Sequence, residues 1–361
     1  MDTQHIEQYY TSTEHFLDLY DTHARSLALR ADSLEHFTQW KMETRAAIMS
    51  ALGITRLDRC PISARTLEIE HLSDHIREKI LIQTEKDVWM PVYVLVPLDL
   101  MPGEERRCLI APHGHESAGK FCPAGRSDIP ALKEQIELYN YQYGLDFVRR
   151  GYIVFCPDAR GFGERREWML QGDDTHAFFN STCRELNNMA IGLGLSLGGL
   201  WVWDLMRLID YIQTRPDCDT LRLACTGLSG GGYQTLMLAA LDERVTVAVS
   251  SGYFYGIRDS LLKLSDNCDC NYVPGLWLLT DMGDIGALIA PRPFLVESGL
   301  FDPLNGERGI VNVLEQLAIT RKAYELLGVP ENLEHFTFSG MHRWDGGRTY
   351  DFVDEHLEVA R

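Results

Sequence analysis

The sequence lacks an excess of basic residues, and this narrows the partners that the protein can bind. It contains 34 Lys and Arg against 52 Asp and Glu, which gives a formal net charge of −18 at pH 7. A chain with this charge repels phosphate backbones and anionic lipid surfaces. We therefore expect neither nucleic acid nor a membrane as a partner.

Long apolar runs and a disulfide framework are also missing. No uncharged apolar stretch reaches the roughly 20 residues that a membrane-spanning helix needs. Residues 1–5 (Met-Asp-Thr-Gln-His) show no basic segment leading into an apolar one, as a secretory signal would. The nine cysteines are odd in number and scattered, which suits a reducing compartment. These features predict a cytoplasmic protein.

The composition is otherwise that of a folded globular protein. Hydrophobic residues make up 45% of the 361 residues and charged residues 24%. Residues 1–58 are predicted to be a helical extension, because apolar residues between Asp32 and Gly53 recur at spacings of three and four. This extension must cover a surface, either on the main domain or on another subunit. Residues 59–361 are predicted to form the main domain.

The main domain is predicted to have an α/β fold. Segments 66–70, 78–83 and 88–96 alternate with a period of two and predict antiparallel strands. Further apolar segments predict strands at 108–112, 152–156, 223–225, 245–250, 293–298 and 336–338. Helices are predicted between them, notably over 132–150, 200–212 and 309–327, with a last one over 350–359. Strands alternating with helices indicate a mainly parallel central sheet flanked by helices.

A Gly-Leu-Ser-Gly-Gly motif at residues 227–231 lies between an apolar strand and a helix-prone segment. This order is typical of a nucleophile elbow, a sharp turn that presents a serine at the start of a helix. Ser229 is therefore the candidate nucleophile, and the alternative is an ordinary helix N-cap. A second Gly-x-Ser-x-Gly match surrounds Ser196, but no apolar strand precedes it, and we interpret it as loop or helix.

Polar residues follow two later strands. In open α/β sheets, functional residues collect beyond the carboxyl ends of the strands. Asp302 follows the segment 293–298 and His342 follows the segment 336–338. The chain order Ser, Asp, His is that of a nucleophile, its orienting acid and its base. His342 would accept the proton of Ser229, and Asp302 would hold the imidazole in the right tautomer.

Other residues compete for the roles of acid and base. Glu297 is the rival acid, although it lies inside its predicted strand rather than after it. His335 precedes the last strand and His356 lies on the terminal helix, so neither is at the exit of a strand. The sequence therefore favours Asp302 and His342.

The strand over 108–112 leads into a His-Gly-His turn at residues 113–115. An acyl-transfer intermediate needs two N–H donors for its oxyanion. We assign these donors to the backbone of Gly230 and of His115. Residues predicted to line the substrate pocket are His113, Arg160, Glu164 and Trp344. For Arg160 the alternative is a structural ion pair with Asp158.

Two other classes of function are weighed against acyl transfer. His113 and His115 could hold a metal ion in a metal-dependent hydrolase, although no Asp-His pair follows at close spacing. A catalytically silent binding module is the second alternative, and an intact Ser-Asp-His set argues against it. Cys268 and Cys270 are too closely spaced for a usual zinc site, and we interpret them as two thiols in a loop. We expect no metal and no cofactor.

The chain resembles the α/β-hydrolase superfamily, and within it the acetyl xylan esterase and dienelactone-hydrolase-like branch. The motifs that carry the resemblance are Pro-His-Gly-His at 112–115, Asp-Ala-Arg-Gly-Phe-Gly-Glu at 158–164, Gly-Leu-Ser-Gly-Gly at 227–231, Ala-Pro-Arg-Pro at 290–293 and Gly-Met-His at 340–342. The resemblance implies that residues 59–361 are the catalytic domain of a metal-free serine carboxylesterase that acts through an acyl-enzyme. Its substrates would be short-chain acyl esters such as acetylated carbohydrates.

The resemblance also implies a homo-oligomer, since oligomers are common in this branch. One departure from the branch is informative. Dienelactone hydrolases use a cysteine nucleophile where this chain has Ser229, so that activity is disfavoured. The N-terminal extension and the loop from Tyr253 to about Asp281 lie outside the matching motifs, and both could reshape the pocket.

Overall fold

A nine-stranded sheet runs through the computed structural model, which describes residues 8–264 and 267–359. Its strands are β1 (Ala64–His71), β2 (His75–Glu85), β3 (Val88–Pro97), β4 (Arg106–Ile110), β5 (Ile153–Pro157), β6 (Cys218–Leu228), β7 (Val247–Ser251), β8 (Phe294–Gly299) and β9 (Leu333–Phe338). Their order across the sheet is β1-β2-β3-β5-β4-β6-β7-β8-β9. Residues 1–7 of the predicted extension, including the segment that bears on a secretory signal, lie outside the described residues.

The sheet is antiparallel on one side and parallel on the other. β1, β2, β3 and β5 pair antiparallel, whereas every pairing from β5 across to β9 is parallel. The parallel strands β5, β7 and β8 are buried along their whole length, as strands covered by helices on both faces must be. This arrangement confirms the predicted α/β fold with a mainly parallel central sheet.

Helices cover both faces of the sheet. They are α1 (Thr13–His23), α2 (Leu34–Ala51), α3 (Pro130–Tyr139), α4 (Tyr143–Arg149), α5 (Thr175–Phe179), α6 (Cys183–Gly192), α7 (Leu197–Ile212), α8 (Gly230–Leu241), α9 (Leu276–Leu279), α10 (Met282–Ala287), α11 (Ile310–Leu326) and α12 (Thr349–Val359). Two large hydrophobic clusters, one on each side of the sheet, form the core.

Two predicted elements differ from the observed ones. The helix predicted over 132–150 is two helices, because Asn140 adopts a left-handed conformation (φ 51°) that ends α3. The strand predicted over 223–225 extends to Cys218–Leu228, since its polar first half pairs with the start of β4. Asn140 is a local helix-end signal that the prediction did not use. The length of β6 depends on its pairing with β4, which the sequence pattern does not show.

The N-terminal helices pack on the main domain of the same chain. Phe37 and Ile48 of α2 are buried in the same core cluster as the strands. The guanidinium of Arg45 donates to the carbonyl oxygens of Ala240 and Leu288, at 2.8 and 3.1 Å. Of the two surfaces considered for this extension, the structure therefore shows the one on its own domain. The boundary between residues 58 and 59 stays a prediction.

An ion pair between a partly exposed arginine and a buried aspartate anchors the segment after α1, and its loss should be measurable. Arg25 donates two hydrogen bonds to Asp284, at 2.8 and 2.9 Å, and the Asp284 side chain is 0% exposed. Replacing Arg25 by methionine leaves that carboxylate buried without its cation, so we expect a loss of about 3 kcal/mol in the free energy of unfolding. Urea denaturation at neutral pH measures this loss.

The matched control is a second ion pair that also ties α1 to the main domain. Arg258 and Asp21 are 38% and 49% exposed, so Arg258→Met should cost less than about 1 kcal/mol. Equal losses in the two variants would contradict the argument from burial.

Within the described residues, no single helix is long and apolar enough to cross a bilayer. Helices α6 and α7 reach that threshold only when they are counted together, and they meet at a bend of 95°.

Candidate active site

Ser229 lies at a sharp turn between β6 and α8, in the predicted order of strand, turn and helix. Its backbone has φ 59° and ψ −118°, a conformation that a residue with a side chain adopts only at a cost. The flanking glycines are needed because the chain passes very close to the end of β4. A Cβ on Gly227 would lie 2.6 Å from the carbonyl oxygen of Pro112, and one on Gly231 would overlap the same oxygen.

His342 and Asp302 form a hydrogen-bonded pair beside this turn. The Nδ1–H of His342 donates to Oδ2 of Asp302 over 2.7 Å, and the Asp302 side chain is 2% exposed. The other carboxylate oxygen of Asp302 accepts from the backbone N–H of Leu304 at 2.9 Å, which fixes the carboxylate. Because Nδ1 carries the proton, the unprotonated Nε2 of the imidazole is left to act as a base.

Ser229 and His342 open on the same cavity, which has a volume of about 300 Å³. It is lined by His115, Glu116, Tyr139, Tyr141, Leu228, Ser229, Gly230, Tyr253, Tyr255, Asn267, Cys268, Asn271, Leu304 and His342. The structure therefore brings the predicted nucleophile, base and acid together, along with both residues that were assigned to the oxyanion. Their catalytic roles remain predictions.

The peptide between Gly114 and His115 is held in a fixed orientation beside Ser229. A Cβ on Gly114 would lie 3.0 Å from the Cβ of Ser229, which shows how closely the turn approaches. The carbonyl oxygen of Gly114 accepts from His113 Nδ1 at 2.8 Å and from Ser117 Oγ at 2.7 Å. The His115 N–H points the opposite way in a planar trans peptide, so these two bonds fix its direction as well.

His113 was predicted to line the pocket, but in the structure it is a structural residue. Its Nδ1 donates to Gly114, and its Nε2 accepts from the backbone N–H of Ala159 at 3.0 Å, so both ring nitrogens are occupied. Burial lowers the pKa of His113 to about 4, which keeps the ring neutral. His113 therefore neither lines the cavity nor can serve as a metal ligand together with His115. The metal-dependent alternative built on that pair is wrong.

The predicted ion pair of Arg160 is made with a different partner. Arg160 donates to both oxygens of Asp204, at 2.9 and 2.8 Å, and also to Glu85. Asp158 instead pairs with Lys120 over 2.6 Å, where both side chains are 0% exposed. Arg160 therefore forms a structural ion pair, as the alternative interpretation proposed. Its partner is Asp204 rather than Asp158, and Arg160 does not line the cavity.

Glu164 and Trp344 are also structural rather than part of the cavity wall. Glu164 bridges Lys79 and Lys120, at 2.5 and 2.6 Å. Trp344 is 0% exposed, and its ring stacks on Tyr143 with 4.6 Å between centroids. The prediction of these two residues as pocket residues is therefore corrected, because their side chains interact with other residues and do not line the cavity.

Sequence analysis missed the tyrosines that do line the cavity. Tyr253 and Tyr255 come directly after β7, so the rule of strand ends that selected Asp302 would also have found them. Tyr139 and Tyr141 come from the end of α3, and no periodicity marks them. Tyr141 donates its hydroxyl to the carbonyl oxygen of His115 over 2.8 Å, which supports the turn beside Ser229.

The rival serine and the rival acid both have structural partners. Ser196 is an N-cap of α7: its Oγ accepts from Gly199 N–H at 3.1 Å and donates to the Leu52 carbonyl at 3.0 Å. Glu297 is fully buried, and burial raises the pKa of its carboxyl. Its oxygens accept hydrogen bonds from Ser251, Asp345, Gly346 and Thr349.

A cluster of thiols lies against His115. The Sγ of Cys270 is 3.7 Å from His115 Nε2, and Cys268 lines the cavity beside them. Hydrogen bonds with Cys183 and Cys270 lower the pKa of the Cys268 thiol well below its ordinary value. All nine cysteines are free. The spacing of Cys268 and Cys270 gave no sign of this cluster, because its other members are far away in sequence.

Sequence comparison finds proteins that are similar to this chain over part of their length. No family model matches the chain. YtaP of Bacillus subtilis (strain 168), whose name assigns it to the hydrolases, is 27% identical over 281 residues, covering 77% of this chain and 86% of YtaP. A 4-O-methyl-glucuronoyl methylesterase 1 from Wolfiporia cocos is 27% identical over 183 residues. That match covers 41% of this chain and 44% of the methylesterase, so the chain spans less than half of that relative.

Solved structures show the same fold at low sequence identity. A structure from Bacteroides fragilis assigned as an acetyl xylan esterase superposes with a TM-score of 0.72 at 19% identity, covering 93% of this chain and 84% of the other. A glucuronoyl esterase from Solibacter usitatus superposes with a TM-score of 0.64 at 15% identity, covering 99% of each chain. The chain therefore shares its overall fold with these two structures.

Proposed function

We propose that the protein is a serine ester hydrolase that removes short acyl groups from carbohydrate esters. One observation carries the proposal: a serine at a strained strand-to-helix turn shares a cavity with a histidine that is hydrogen-bonded to a buried aspartate. A strained, partly buried serine that lines a cavity is a poor choice for a purely structural cap, whereas it suits a nucleophile. The esterase names of the similar proteins support the same class of reaction.

The proposed mechanism uses the chain's own groups at each step. Ser229 attacks the acyl carbon while His342 accepts its proton, and Asp302 stabilises the imidazolium that forms. The backbone N–H groups of Gly230 and His115 stabilise the oxyanion of the tetrahedral intermediate. Collapse of the intermediate expels the alcohol, which takes the proton from His342 and leaves an acyl-enzyme. A water molecule, activated by His342, then hydrolyses the acyl-enzyme and frees Ser229.

The cavity favours a small acyl group on a neutral substrate. Its volume of about 300 Å³ is at the lower end of the range for small-molecule sites. Leu228 and Leu304 offer apolar surface for a methyl group, and the four tyrosines offer aromatic faces with hydroxyl groups. Among the described residues that line it, none is Lys or Arg and one is the acidic Glu116. We therefore propose acetylated carbohydrate as the substrate class.

Cleavage of glucuronoyl esters is the second candidate, favoured by the methylesterases and glucuronoyl esterases among the similar proteins. In that reaction the acyl half is a sugar ring rather than a methyl group. Initial rates on acetylated xylo-oligosaccharides and on a methyl glucuronate ester separate the two. We expect kcat/KM to favour the acetyl ester by at least about tenfold, the order of discrimination that a pocket of matched size achieves. The reverse order would support the glucuronoyl candidate.

The proposal also covers the cellular compartment and the oligomeric state of the protein. The nine free cysteines support a reducing compartment, so we place the protein in the cytoplasm. A homo-oligomer is proposed because apolar side chains of α1, including Phe16 and Leu19, line an open recess with Trp277 and Leu278. Light scattering coupled to size-exclusion chromatography measures the oligomeric state.

A further inference from the structure

The thiol cluster beside the cavity has the composition of a metal site. Nε2 of His115 and the Sγ atoms of Cys268 and Cys270 all lie within 4.8 Å of one another. One histidine nitrogen and two or more thiolates are a donor set that Zn²⁺ binds in proteins. Cys268 is the N-cap of the single helical turn Asp269–Asn271, and Cys270 is the middle residue of that turn.

The distance between Cys270 and His115 agrees with tetrahedral coordination. With metal–sulfur bonds of about 2.3 Å and a metal–nitrogen bond of about 2.0 Å, the sulfur and nitrogen atoms of a tetrahedral site lie roughly 3.5 Å apart. The Sγ of Cys270 and Nε2 of His115 are 3.7 Å apart. An ion can therefore occupy the space between them with only a small adjustment of the side chains.

Three protein ligands and one open position are a coordination that Zn²⁺ accepts, with a water molecule completing the tetrahedron. Cys268 and Cys270 belong to one loop and His115 to a distant turn, so the ion would join two separate parts of the chain.

The surroundings of the cluster also suit a bound metal. The side-chain amide of Asn271 donates to the carbonyl oxygen of Cys268 at 2.9 Å and to the Sγ of Cys270 at 3.7 Å. Tyr253 in turn donates to the amide oxygen of Asn271 at 2.5 Å. Hydrogen bonds of this kind hold metal ligands in place and stabilise thiolates. His115 and Cys268 both line the cavity, which gives an ion a path from solvent.

We propose that His115, Cys268 and Cys270 bind one Zn²⁺ ion, with a water molecule in the fourth position. The ion ties the His-Gly-His turn to the loop at residues 267–271. Its role is positional: a Cβ on Gly230 would lie 3.1 Å from Nδ1 of His115, so the ligated ring stands directly against the start of α8. This inference goes beyond the proposed esterase function and does not depend on it.

Metal content is the first test. The full-length protein, produced without an affinity tag that binds metal, is reduced, loaded with ZnCl₂ and desalted before elemental analysis. We expect about one zinc per chain, as for a single site of three protein ligands. Substitution with Co²⁺ should give the intense visible bands of tetrahedral cobalt and a thiolate-to-cobalt charge-transfer band. These signals report the ligands directly and do not involve esterase activity.

Matched serine variants locate the ion. Cys268→Ser and Cys270→Ser should each lower the bound zinc at least about tenfold, because serine is a poor ligand for this metal. Cys60→Ser is the control, since that half-buried thiol lies outside the cluster and should leave zinc binding unchanged. The Ser229→Ala variant should keep its zinc even where esterase activity is lost. Failure of the esterase proposal is thereby distinguished from failure of the metal site.

Three results would overturn the proposal. The first is less than about a tenth of an equivalent of zinc in the reduced, loaded protein, since a site of one histidine and two thiolates should fill at these concentrations. The second is a disulfide between Cys268 and Cys270 that forms in place of metal binding. The third is full zinc binding by a Cys268→Ser/Cys270→Ser double variant.

Discussion

Replacement of Ser229 by alanine is expected to lower kcat/KM for an acetyl ester by about 10⁴-fold or more, the loss typical of a removed nucleophile. The same change should abolish labelling by a fluorophosphonate, which reacts only with an activated serine. Initial rates on p-nitrophenyl acetate and gel-based detection of the labelled protein measure the two effects. Retained turnover or labelling would contradict the role of Ser229.

Ser196 provides a control with the same sequence motif. Its hydroxyl caps α7 and bonds to Leu52 in the core, at a point that the cavity does not reach. Ser196→Ala should therefore cost about 1 kcal/mol of stability through the lost cap. Activity should stay close to that of the unaltered protein. Both variants remove a serine hydroxyl from a Gly-x-Ser-x-Gly motif. Comparing them therefore tests whether the position of the serine in the fold decides the effect on activity.

The strained backbone at Ser229 adds a readout that does not depend on activity. Alanine keeps a Cβ and therefore keeps the cost of φ 59°, whereas glycine adopts this conformation readily. Ser229→Gly should accordingly be inactive but about 1 kcal/mol more stable than Ser229→Ala. Urea denaturation of the two variants measures the difference. A lower stability for the glycine variant would contradict the interpretation of strain.

The sequence predicted the fold and the three central residues of the candidate site because strand ends are visible in it. Apolar segments mark the buried parallel strands, and Asp302 and His342 follow two of them directly. Parallel strands bring their carboxyl ends to one edge of a sheet, so residues distant in sequence were predicted to meet. The position of Ser229 was predicted in the same way, because Ser229 directly follows the apolar end of β6.

The pocket residues and ion pairs could not be predicted in this way. Asp158 and Arg160 are two positions apart and opposite in charge, yet each pairs with a residue at least 38 positions away. Buried charges select partners by three-dimensional proximity, which local sequence does not record. Trp344 is close to His342 in sequence, but its ring packs into the core behind the site. The thiol cluster around Cys268 was hidden for the same reason.

The second large effect concerns the acid, and Asp302→Asn should lower kcat by about 10⁴-fold. Asparagine can turn its amide N–H₂ toward His342, and this favours the tautomer in which Nε2 carries the proton and cannot accept one. Little contact is lost, because asparagine has almost the same shape and Leu304 N–H keeps an acceptor. Steady-state kinetics with saturating acetyl ester measure kcat, and thermal unfolding checks that the variant is folded.

Glu297→Gln is the matched substitution at the rival acid, and its expected effect falls on stability instead. The carboxylate of Glu297 accepts four hydrogen bonds from Ser251, Thr349 and the backbone at residues 345–346. A glutamine amide group would turn N–H donors toward groups that are themselves donors, at a cost of about 2 kcal/mol. Because Glu297 holds the loop after His342 without touching the imidazole, kcat should fall less than about tenfold, well short of the loss of a triad member. A 10⁴-fold loss in Glu297→Gln, with little change in Asp302→Asn, would make Glu297 the acid.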